Sequence, residues 1–428
     1  MSQPRRLTLL KVSPDAGPEA ARAAAAAYQD LEAAFGDAVA RPARGGEGRL
    51  VVVGGGIVGL MSAYFASLRG YRVALVERLS LVGAASGRNG GGVLALGHTL
   101  EDLPFNRLSL RLWRQLDETG VRGELVRTGH VMLAFSEDEA ETLRSAGELY
   151  RAAGLGVEWL APDEVRRLLP HLAGTQHGGL HCPEDAQAYP FRIAASLQAR
   201  LRDAGAELLT HTAVTGFRTD GDSVTAVLTA AGEVAADAVL LCAGPWTAGV
   251  GALLGLQLAV RPRRSQILVT ERVRERVIDP FVTGNAIYLR QTHEGNLLFG
   301  GGGKWESYSF DTSSTAAAVR RIATRFLEAF PAFRGVQLIR AFAGTVDLTP
   351  DSRPLLGRAE GWRNVCVASG FSGHGFGWSA AAGALAAACV AHALGHDEPT
   401  PGVARLLEPL APCRHAALPA GDGGGATA

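Results

Sequence analysis

Short apolar runs alternate with longer amphipathic stretches along most of the chain. Residues 50–53 form a β-branched run, a glycine-rich turn follows at once, and the next residues up to 69 have a helical pattern. A second apolar run covers residues 71–76. Because a strand, a glycine turn, a helix and a second strand in this order form a βαβ unit, the pattern predicts the opening of a dinucleotide-binding fold.

The rest of the chain alternates in the same way, but β-rich stretches interrupt it twice. Amphipathic helices and one alternating strand occupy residues 100–185, and further strand patterns occupy residues 256–340. This arrangement predicts an α/β fold, α+β overall, with a nucleotide-binding domain built from separated segments and a substrate domain inserted between them. The predicted divisions are an N-terminal helical appendage at 1–48, a nucleotide-binding domain at 49–100, 186–255 and 341–400, a substrate domain at 101–185 and 256–340, and a C-terminal tail at 401–428.

Composition and charge exclude several classes of protein. The 428 residues include 42 Lys plus Arg and 42 Asp plus Glu, so no surplus charge attracts nucleic acid or anionic lipid. An alanine-rich apolar segment at 379–394 is too short to span a bilayer and predicts a buried helix. The five cysteines have no CxxC spacing, and no apolar stretch follows Arg5 and Arg6, so we expect a cytoplasmic protein without disulfides, a zinc site or an export signal.

The first glycine turn has the spacing of a dinucleotide-binding motif. Gly54, Gly56 and Gly59 form G-x-G-x-x-G between the first strand and the helix, and Glu77 ends the next strand about 20 residues later. The glycines allow a tight turn and a close approach to a pyrophosphate, while an acidic residue at that place accepts hydrogen bonds from a ribose and disfavours NADP. The alternative is a glycine-rich turn in an unrelated α/β protein.

Two further glycine-rich loops lie far apart in the sequence. Residues 84–93 follow the second strand, and residues 370–377 precede the apolar helix near the C-terminus. Loops of this kind present backbone N–H groups, and the positive end of the last helix would stabilise negative charge on a ring system. Three such loops predict a long cofactor.

These segments carry a resemblance to a known family. Residues 50–77, 85–93, 238–246, 288–302 and 344–357, followed by the turn 370–376, resemble the FAD-dependent D-amino acid oxidase, glycine oxidase and sarcosine oxidase (DAO) family in the expected order over about residues 49–400. The resemblance implies a Rossmann-like FAD-binding domain built from separated segments, an inserted antiparallel β-sheet substrate domain, and oxidation of a carbon–nitrogen bond by hydride transfer to the flavin, which yields an imine.

The same resemblance implies a set of cofactor-binding residues. They are Gly54, Gly56, Ile57, Val58, Gly59, Glu77, Arg78, Ser86, Arg88, Asn89, Gly90, Gly91, Val214, Cys242, Ala243, Gly244, Gly373, His374, Gly375 and Phe376. Members with covalently attached flavin have a cysteine where this chain has Gly344, so we expect noncovalent FAD. Two lysines of the sarcosine oxidase branch are replaced, one by Gly377-Trp378 and the other, associated with oxygen activation, by Leu298.

Three residues are candidates for contact with the substrate. Strand alternation places Tyr288 and Arg290 on one face, and the planar guanidinium of Arg290 suits a substrate carboxylate. Lys304 follows a run of glycines and is the third candidate. The alternatives are an arginine at a strand end, a core tyrosine and a solvated loop lysine. His98 and His293 are weaker candidates for substrate contact, and no metal-ligand pattern stands out.

We therefore expect an FAD-dependent oxidoreductase that acts on an amino acid or secondary amine. Its partners would be that small molecule and O2 or another electron acceptor, with no nucleic acid and no membrane span. One alternative is an FAD-binding dehydrogenase subunit that passes electrons to a partner or quinone instead of O2. Another is a nicotinamide-dependent dehydrogenase, which the turn at 370–377 disfavours because such an enzyme has no flavin ring to line there.

Overall fold

The computed structural model describes residues 10–13, 16–43, 45–174, 176–301 and 306–415. In these ranges the α-helices are α1 (Pro18–Phe35), α2 (Ile57–Arg69), α3 (Leu103–Glu118), α4 (Glu137–Ala152), α5 (Pro162–Leu168), α6 (Pro190–Asp203), α7 (Thr247–Ala252), α8 (Ala316–Ala329), α9 (Gly375–Ala393) and α10 (Pro401–Leu407). The strands are β1 (Arg49–Val53), β2 (Arg72–Val76), β3 (Gly92–Val93), β4 (His130–Leu133), β5 (Glu158–Leu160), β6 (Gly179–Cys182), β7 (Ala186–Gln187), β8 (Glu207–Leu209), β9 (Val214–Asp220), β10 (Ser223–Thr229), β11 (Gly232–Ala235), β12 (Ala238–Leu241), β13 (Arg261–Arg272), β14 (Phe281–Gly284), β15 (Ile287–Gln291), β16 (Asn296–Gly301), β17 (Leu338–Leu348), β18 (Leu355–Arg358) and β19 (Val365–Ser369).

A six-stranded sheet forms the centre of the nucleotide-binding part, in the order β18-β19-β12-β1-β2-β8. Strand β1 runs parallel to both β2 and β12, so that Val53 lies between Val76 and Leu241. These strands are buried on both faces, which explains their continuous apolar sequences. Because the neighbouring strands are parallel, their carboxyl ends meet at one edge and bring the glycine turn after β1 to that edge. The mixed α/β fold predicted from the sequence is confirmed.

The second large sheet has eight strands in the order β17-β13-β16-β15-β14-β4-β6-β5. Its strands come from residues 130–182 and 261–348, and most neighbours are antiparallel as the resemblance implies. One pair departs from that expectation, since β14 and β4 run parallel with Phe281 opposite His130. The predicted division at residue 341 falls inside β17, because β17 pairs with β13 from Leu338 through Leu348 and belongs to this sheet along its whole length.

The N-terminal helix α1 is packed into the body of the protein. Its apolar face, which includes Leu31 and Phe35, belongs to the same hydrophobic core as the central sheet and helices α2 and α9. On α3, Arg111 donates from Nε to the carbonyl of Gly36 at 2.6 Å and from Nη1 to Glu32 at 2.9 Å. The helix predicted within residues 1–48 therefore exists, but it is an integral layer that covers α3.

Helix α9 begins at Gly375, four residues before the apolar segment identified in the sequence, so the prediction that this segment is too short to span a bilayer is wrong by length and composition. The predicted burial is found, because 78% of its most apolar window lies inside the protein. It packs against α2 and α3 and against strand β19. Gly383 permits the close approach to α2, because a Cβ atom there would lie 2.7 Å from the carbonyl carbon of Met61. The contact therefore fixes the two helices whose N-termini follow the first and third glycine-rich loops.

Candidate active site

A cavity of about 1000 Å³ lies between the two large sheets. Its walls are the turn after β1, the loop at 84–92, the turn that precedes α9, the inner faces of β14 and β15, and a short N-terminal segment that includes Lys11. The three glycine-rich loops, which are far apart in the sequence, therefore meet in one space.

The turn between β1 and α2 is built so that only glycine fits. Gly54 has φ +114°, and a Cβ atom there would lie 2.3 Å from the carbonyl oxygen of Cys242. The backbone amide of Ile57, in the first turn of α2, donates to Ser86 Oγ at 2.9 Å. A side chain at Gly56 would meet nothing closer than that hydroxyl, at 3.1 Å. This open cradle at a helix N-terminus fits a pyrophosphate.

Glu77 lies at the end of β2 on the cavity wall. One carboxylate oxygen accepts a hydrogen bond from the backbone amide of Gly55 at 2.7 Å, and the other accepts one from the amide of Leu79 at 2.7 Å. Each carboxylate oxygen retains a further lone pair for a hydroxyl group. The carboxylate is therefore held in place where a ribose of a dinucleotide would need an acceptor.

The loop at 84–92 is held by its own polar side chains. Asn89 donates from Nδ2 to the carbonyl of Ser86 at 2.6 Å and accepts from the amide of Gly91 at 2.7 Å. Arg88 reaches across to strand β17 and donates to the carbonyl of Ala343 at 3.1 Å. The loop thus joins the two sheets and forms one side of the cavity.

Asp347, near the end of β17, holds the turn before α9. Its carboxylate accepts hydrogen bonds from the backbone amides of Gly370 at 2.7 Å and Phe371 at 3.2 Å, and its own carbonyl accepts from the amide of Ser372 at 2.9 Å. Burial raises the pKa of Asp347, while these amide hydrogen bonds act in the opposite direction. Asp347 lies in the segment 344–357 that carries the family resemblance, but sequence reasoning assigned it no role, because its partners lie more than 20 residues away.

Lys11 and two histidines form a basic cluster on the cavity wall. Lys11 Nζ lies 3.4 Å from Nδ1 of His374, and the rings of His374 and His98 are edge-to-face with centroids 4.7 Å apart. Burial lowers the pKa of His374 to about 3 and holds the pKa of His98 well below its ordinary value. Burial also lowers the pKa of Lys11. Sequence reasoning missed Lys11, since nothing in its local pattern points to a residue 363 positions later.

A second buried polar group borders the cavity near this cluster. His130 contacts Asp185 through Nδ1 at 3.2 Å and Thr283 Oγ1 through Nε2 at 2.8 Å. Asp185 also accepts the backbone amide of Ala95 at 2.7 Å. His130 and Thr283 line the cavity. This group was also missed, because its three members lie on separate elements and match no short motif.

The predicted substrate residues occupy different depths. Tyr288 lines the cavity, and burial raises the pKa of its phenol, which is therefore neutral. Arg290 lies on the same face of β15 but behind Gly91, where a Cβ atom would come within 2.9 Å of its Nη1. Its guanidinium donates to the carbonyl of Ala188 at 3.2 Å, its Nε has no partner, and burial lowers its pKa to about 10. Arg290 is not among the lining residues, so its contact with a carboxylate stays a prediction, and Lys304 lies outside the described residues.

The residues predicted to bind the cofactor lie together around this cavity. All of them line it except Gly59, which instead packs α2 against the turn, since a Cβ atom there would lie 1.9 Å from the carbonyl oxygen of Gly54. Arg78 stacks over the indole of Trp246 at 4.1 Å on the adenosine side predicted from the motif. Within the described ranges, no group of three or more His, Cys, Asp or Glu is arranged to hold a metal ion.

Comparison with known proteins agrees with this arrangement. A family model described as FAD dependent oxidoreductase (DAO) matches residues 49–389. The chain is 28% identical over 347 residues to the glycine oxidase of Geobacillus kaustophilus (strain HTA426), covering 79% of this chain and 91% of that protein. It is 28% identical over 368 residues to the sarcosine oxidase subunit beta of Arthrobacter sp., covering 82% and 87%.

A solved structure matches most of the fold. The L-proline dehydrogenase from P. horikoshii superposes with a TM-score of 0.80 at 26% sequence identity, covering 86% of this chain and 97% of that chain. Since the matched family model starts at residue 49, helix α1 and the segment that carries Lys11 lie outside it.

Proposed function

The chain belongs to the DAO family of FAD-dependent oxidoreductases, and we propose that it oxidises the carbon–nitrogen bond of an amino acid or secondary amine to an imine. The names of the glycine oxidase, sarcosine oxidase subunit and L-proline dehydrogenase relatives support this substrate class. The single observation that carries the proposal is the continuous cavity that joins the glycine turn after β1 to Tyr288 and Thr283 on the second sheet.

The residues that would hold FAD follow from the shape of the cavity. The turn from Gly54 and the N-terminus of α2 would bind the pyrophosphate, and Glu77 would accept from the ribose. The loop at 84–92 and the turn before α9 would line the ring system. Bound there, FAD would supply the acceptor for the hydride that leaves the substrate carbon. Gly344 lines the cavity where a covalently bound flavin would need a cysteine, so we propose noncovalent attachment.

Side chains of this chain would position the substrate at the reacting end. Tyr288 offers a neutral hydroxyl, and Thr283 is oriented by His130, which Asp185 holds in turn. Because burial keeps the pKa values of His98 and His374 low, neither imidazole is a strong proton acceptor at neutral pH. We therefore propose that the amine enters the site in its neutral form and that alignment, rather than a side-chain base, is the main contribution of the protein.

Anaerobic reduction of the bound flavin tests the substrate class. The purified protein would be mixed without oxygen with glycine, sarcosine, D- and L-amino acids and simple amines, and the flavin absorption band would be followed. Bleaching by one class of compound identifies the donor. A protein that retains FAD but bleaches with none of these compounds would contradict the proposal.

We propose O2 as the electron acceptor, because two of the relatives compared above are named oxidases. Admitting air after anaerobic bleaching tests this choice directly. Rapid recovery of the oxidised spectrum supports O2, whereas slow recovery that a quinone accelerates would favour the dehydrogenase alternative.

The cytoplasm remains our proposed location. All five cysteines, Cys182 among them, are unpaired in the structure, as a reducing compartment requires. Cell fractionation with an antibody to the protein would test this location.

A further inference from the structure

Residues 10–13, a short segment that precedes α1 in the chain, lie at the wall of the cavity. The backbone amide of Lys11 donates to the carbonyl of Gly97 at 3.0 Å, which fixes the segment beside the loop that carries His98. Leu10 and Val12 pack against the main hydrophobic core, and Lys11 lines the cavity. This alternation is what an extended segment produces, with successive side chains on opposite sides.

Helix α1, which comes later in the chain than this segment, packs on α3. Tyr28 stacks under the guanidinium of Arg107 at 3.8 Å, and its hydroxyl donates to Glu32 at 3.0 Å. Glu32 in turn receives Arg111 of α3. These contacts join α1 to the helix beneath it, and the hydrogen bond from Lys11 to Gly97 holds residues 10–13 at the cavity.

The charges around Lys11 leave its ammonium group without a carboxylate in contact. The carboxylate of Asp102 acts to raise the pKa of Lys11, but it is paired with Arg353 at 2.9 Å. Nδ1 of His374 is the recorded side-chain partner of Lys11 Nζ, and both His374 and His98 are neutral near pH 7. Among the described residues, no carboxylate lies within 4 Å of Nζ. A half-buried cation in this situation is suited to an anionic ligand.

The position of Lys11 along the cavity indicates which anionic group it binds. Lys11 and His130 both lie close enough to His98 to lower its pKa, and His130 contacts Thr283 of the second sheet. Glu77 and the pyrophosphate turn, in contrast, belong to the parallel sheet. The amino acid of the proposed function places a carboxylate beside its reacting carbon, and that carbon must lie at the end bordered by the second sheet.

We propose that Lys11 binds the carboxylate of the substrate. An ammonium group has three N–H donors, and one directed at His374 leaves two for carboxylate oxygens. The inference rests on the proposed function, because it assumes an amino acid as the substrate. It means that a residue outside the span matched by the family supplies the group that selects for a carboxylate.

Equilibrium titration tests this role without turnover. The oxidised, FAD-loaded protein would be titrated with acetate and, separately, with uncharged acetamide, and the shift of the flavin absorption band would give each dissociation constant. The variants are Lys11→Met, Lys11→Arg and, as a matched control, Arg22→Met on the exposed side of α1. FAD content and the melting temperature of each variant would show that it is folded and loaded.

We expect the acetate dissociation constant to rise about 10- to 100-fold in Lys11→Met, less than about threefold in Lys11→Arg, and not at all in Arg22→Met. Acetamide binding should stay the same in all three variants. Unchanged acetate binding in a loaded Lys11→Met protein would overturn the inference.

A second readout separates the substrate from the cofactor as the anionic partner. If Lys11→Met shifts the flavin reduction potential or the FAD dissociation constant while acetate binding is unchanged, the ammonium faces the cofactor and the assignment to a carboxylate is wrong. The proposed function fails separately, if no amino acid or amine bleaches the wild-type flavin. The acetate titration does not depend on that result.

Discussion

The two ends of the cavity are built in different ways. At the nucleotide end, the backbone determines the shape: Gly54 and Gly59 are close in sequence and make contacts that a Cβ atom would violate, while Gly56 between them lines the open cradle. At the substrate end, side chains from remote segments converge, as when Lys11 meets His374. The first end therefore depends on local sterics, and the second depends on how the whole chain is packed.

This difference predicts which property of the protein a single substitution at each end should change. A side chain added at Gly54 or Gly59 meets closely packed backbone, so we expect it to abolish binding of the cofactor. A substitution at the substrate end changes a charge or a hydrogen bond, but we expect the fold to remain intact. The following predictions are ordered by the size of the effect that would test this contrast.

The largest effect is expected for Gly54→Ala. The new methyl group would meet the carbonyl oxygen of Cys242 at 2.3 Å, and φ +114° disfavours any residue with a side chain. We expect FAD affinity to fall by about 100-fold or more, so that the protein purifies without colour. The matched control is Gly205→Ala, which has φ +78° but nothing within 4 Å, and which should keep its flavin. A Gly54→Ala protein that purifies with bound FAD would contradict this contrast between the two ends of the cavity.

A smaller effect is expected at the junction of the two ends, for Asp347→Ala. This change leaves the buried amides of Gly370 and Phe371 without their acceptor. We expect the free energy of unfolding, measured with urea, to fall by about 3 kcal/mol. Asp347→Asn keeps an acceptor oxygen and should lose about 1 kcal/mol. Equal losses in the two variants would mean that the charge, and not the hydrogen bonds, stabilises the turn.

The basic cluster should make stability depend on pH. The pKa of His374 is lowered from 6.5 to about 3 by burial, so the unfolded state binds the proton first, and stability is complete above pH 6.5 and lost as the pH falls towards 3. Between pH 7 and pH 5 we expect a loss of roughly 1–2 kcal/mol from urea unfolding. His374→Asn should reduce this slope, and the exposed control His293→Asn should not. An identical slope in both variants would assign the effect to other groups.

The smallest effect is expected for Arg290→Met. Its guanidinium lies behind Gly91 with an unpartnered Nε, and replacing a buried, unpaired cation with an apolar side chain is often neutral or stabilising. We expect unfolding free energy to change by about 1 kcal/mol or less, and acetate binding by less than about threefold. An acetate dissociation constant that rises more in Arg290→Met than in Lys11→Met would reverse our assignment of the carboxylate.

The same contrast explains what the sequence could predict. The turn from Gly54 to Gly59 and the acceptor Glu77 were predictable, because spacing along a βαβ unit determines where they meet. The shared face of Tyr288 and Arg290 followed from strand alternation. Their different depths did not, because Gly91 of another segment covers only one of them. Strand alternation predicts to which face of the sheet a side chain points, but it does not predict which residues of other segments pack over that face.

Groups assembled over long distances were not predictable from one sequence. Lys11 and His374 are separated by almost the whole chain, and the contact between His130 and Asp185 depends on the pairing of β4 with β6. The parallel pairing of β4 with β14 was missed for the same reason, since a run of alternating residues does not state the direction of its neighbour. Each of these contacts requires knowledge of the packed fold.

The order of strands in the parallel sheet also has a consequence during synthesis. Strand β1 appears early, but its neighbour β12 and the N-terminus of α9 are translated long afterwards. At about 5–20 residues per second, a ribosome needs roughly 15–60 s to pass from Gly54 to Gly375. During that time, the turn after β1 has left the ribosome but the N-terminus of α9, which lines the same cavity, has not yet been made. Lys11, the first of these residues to leave the ribosome, therefore waits for nearly the whole chain before it can meet His374.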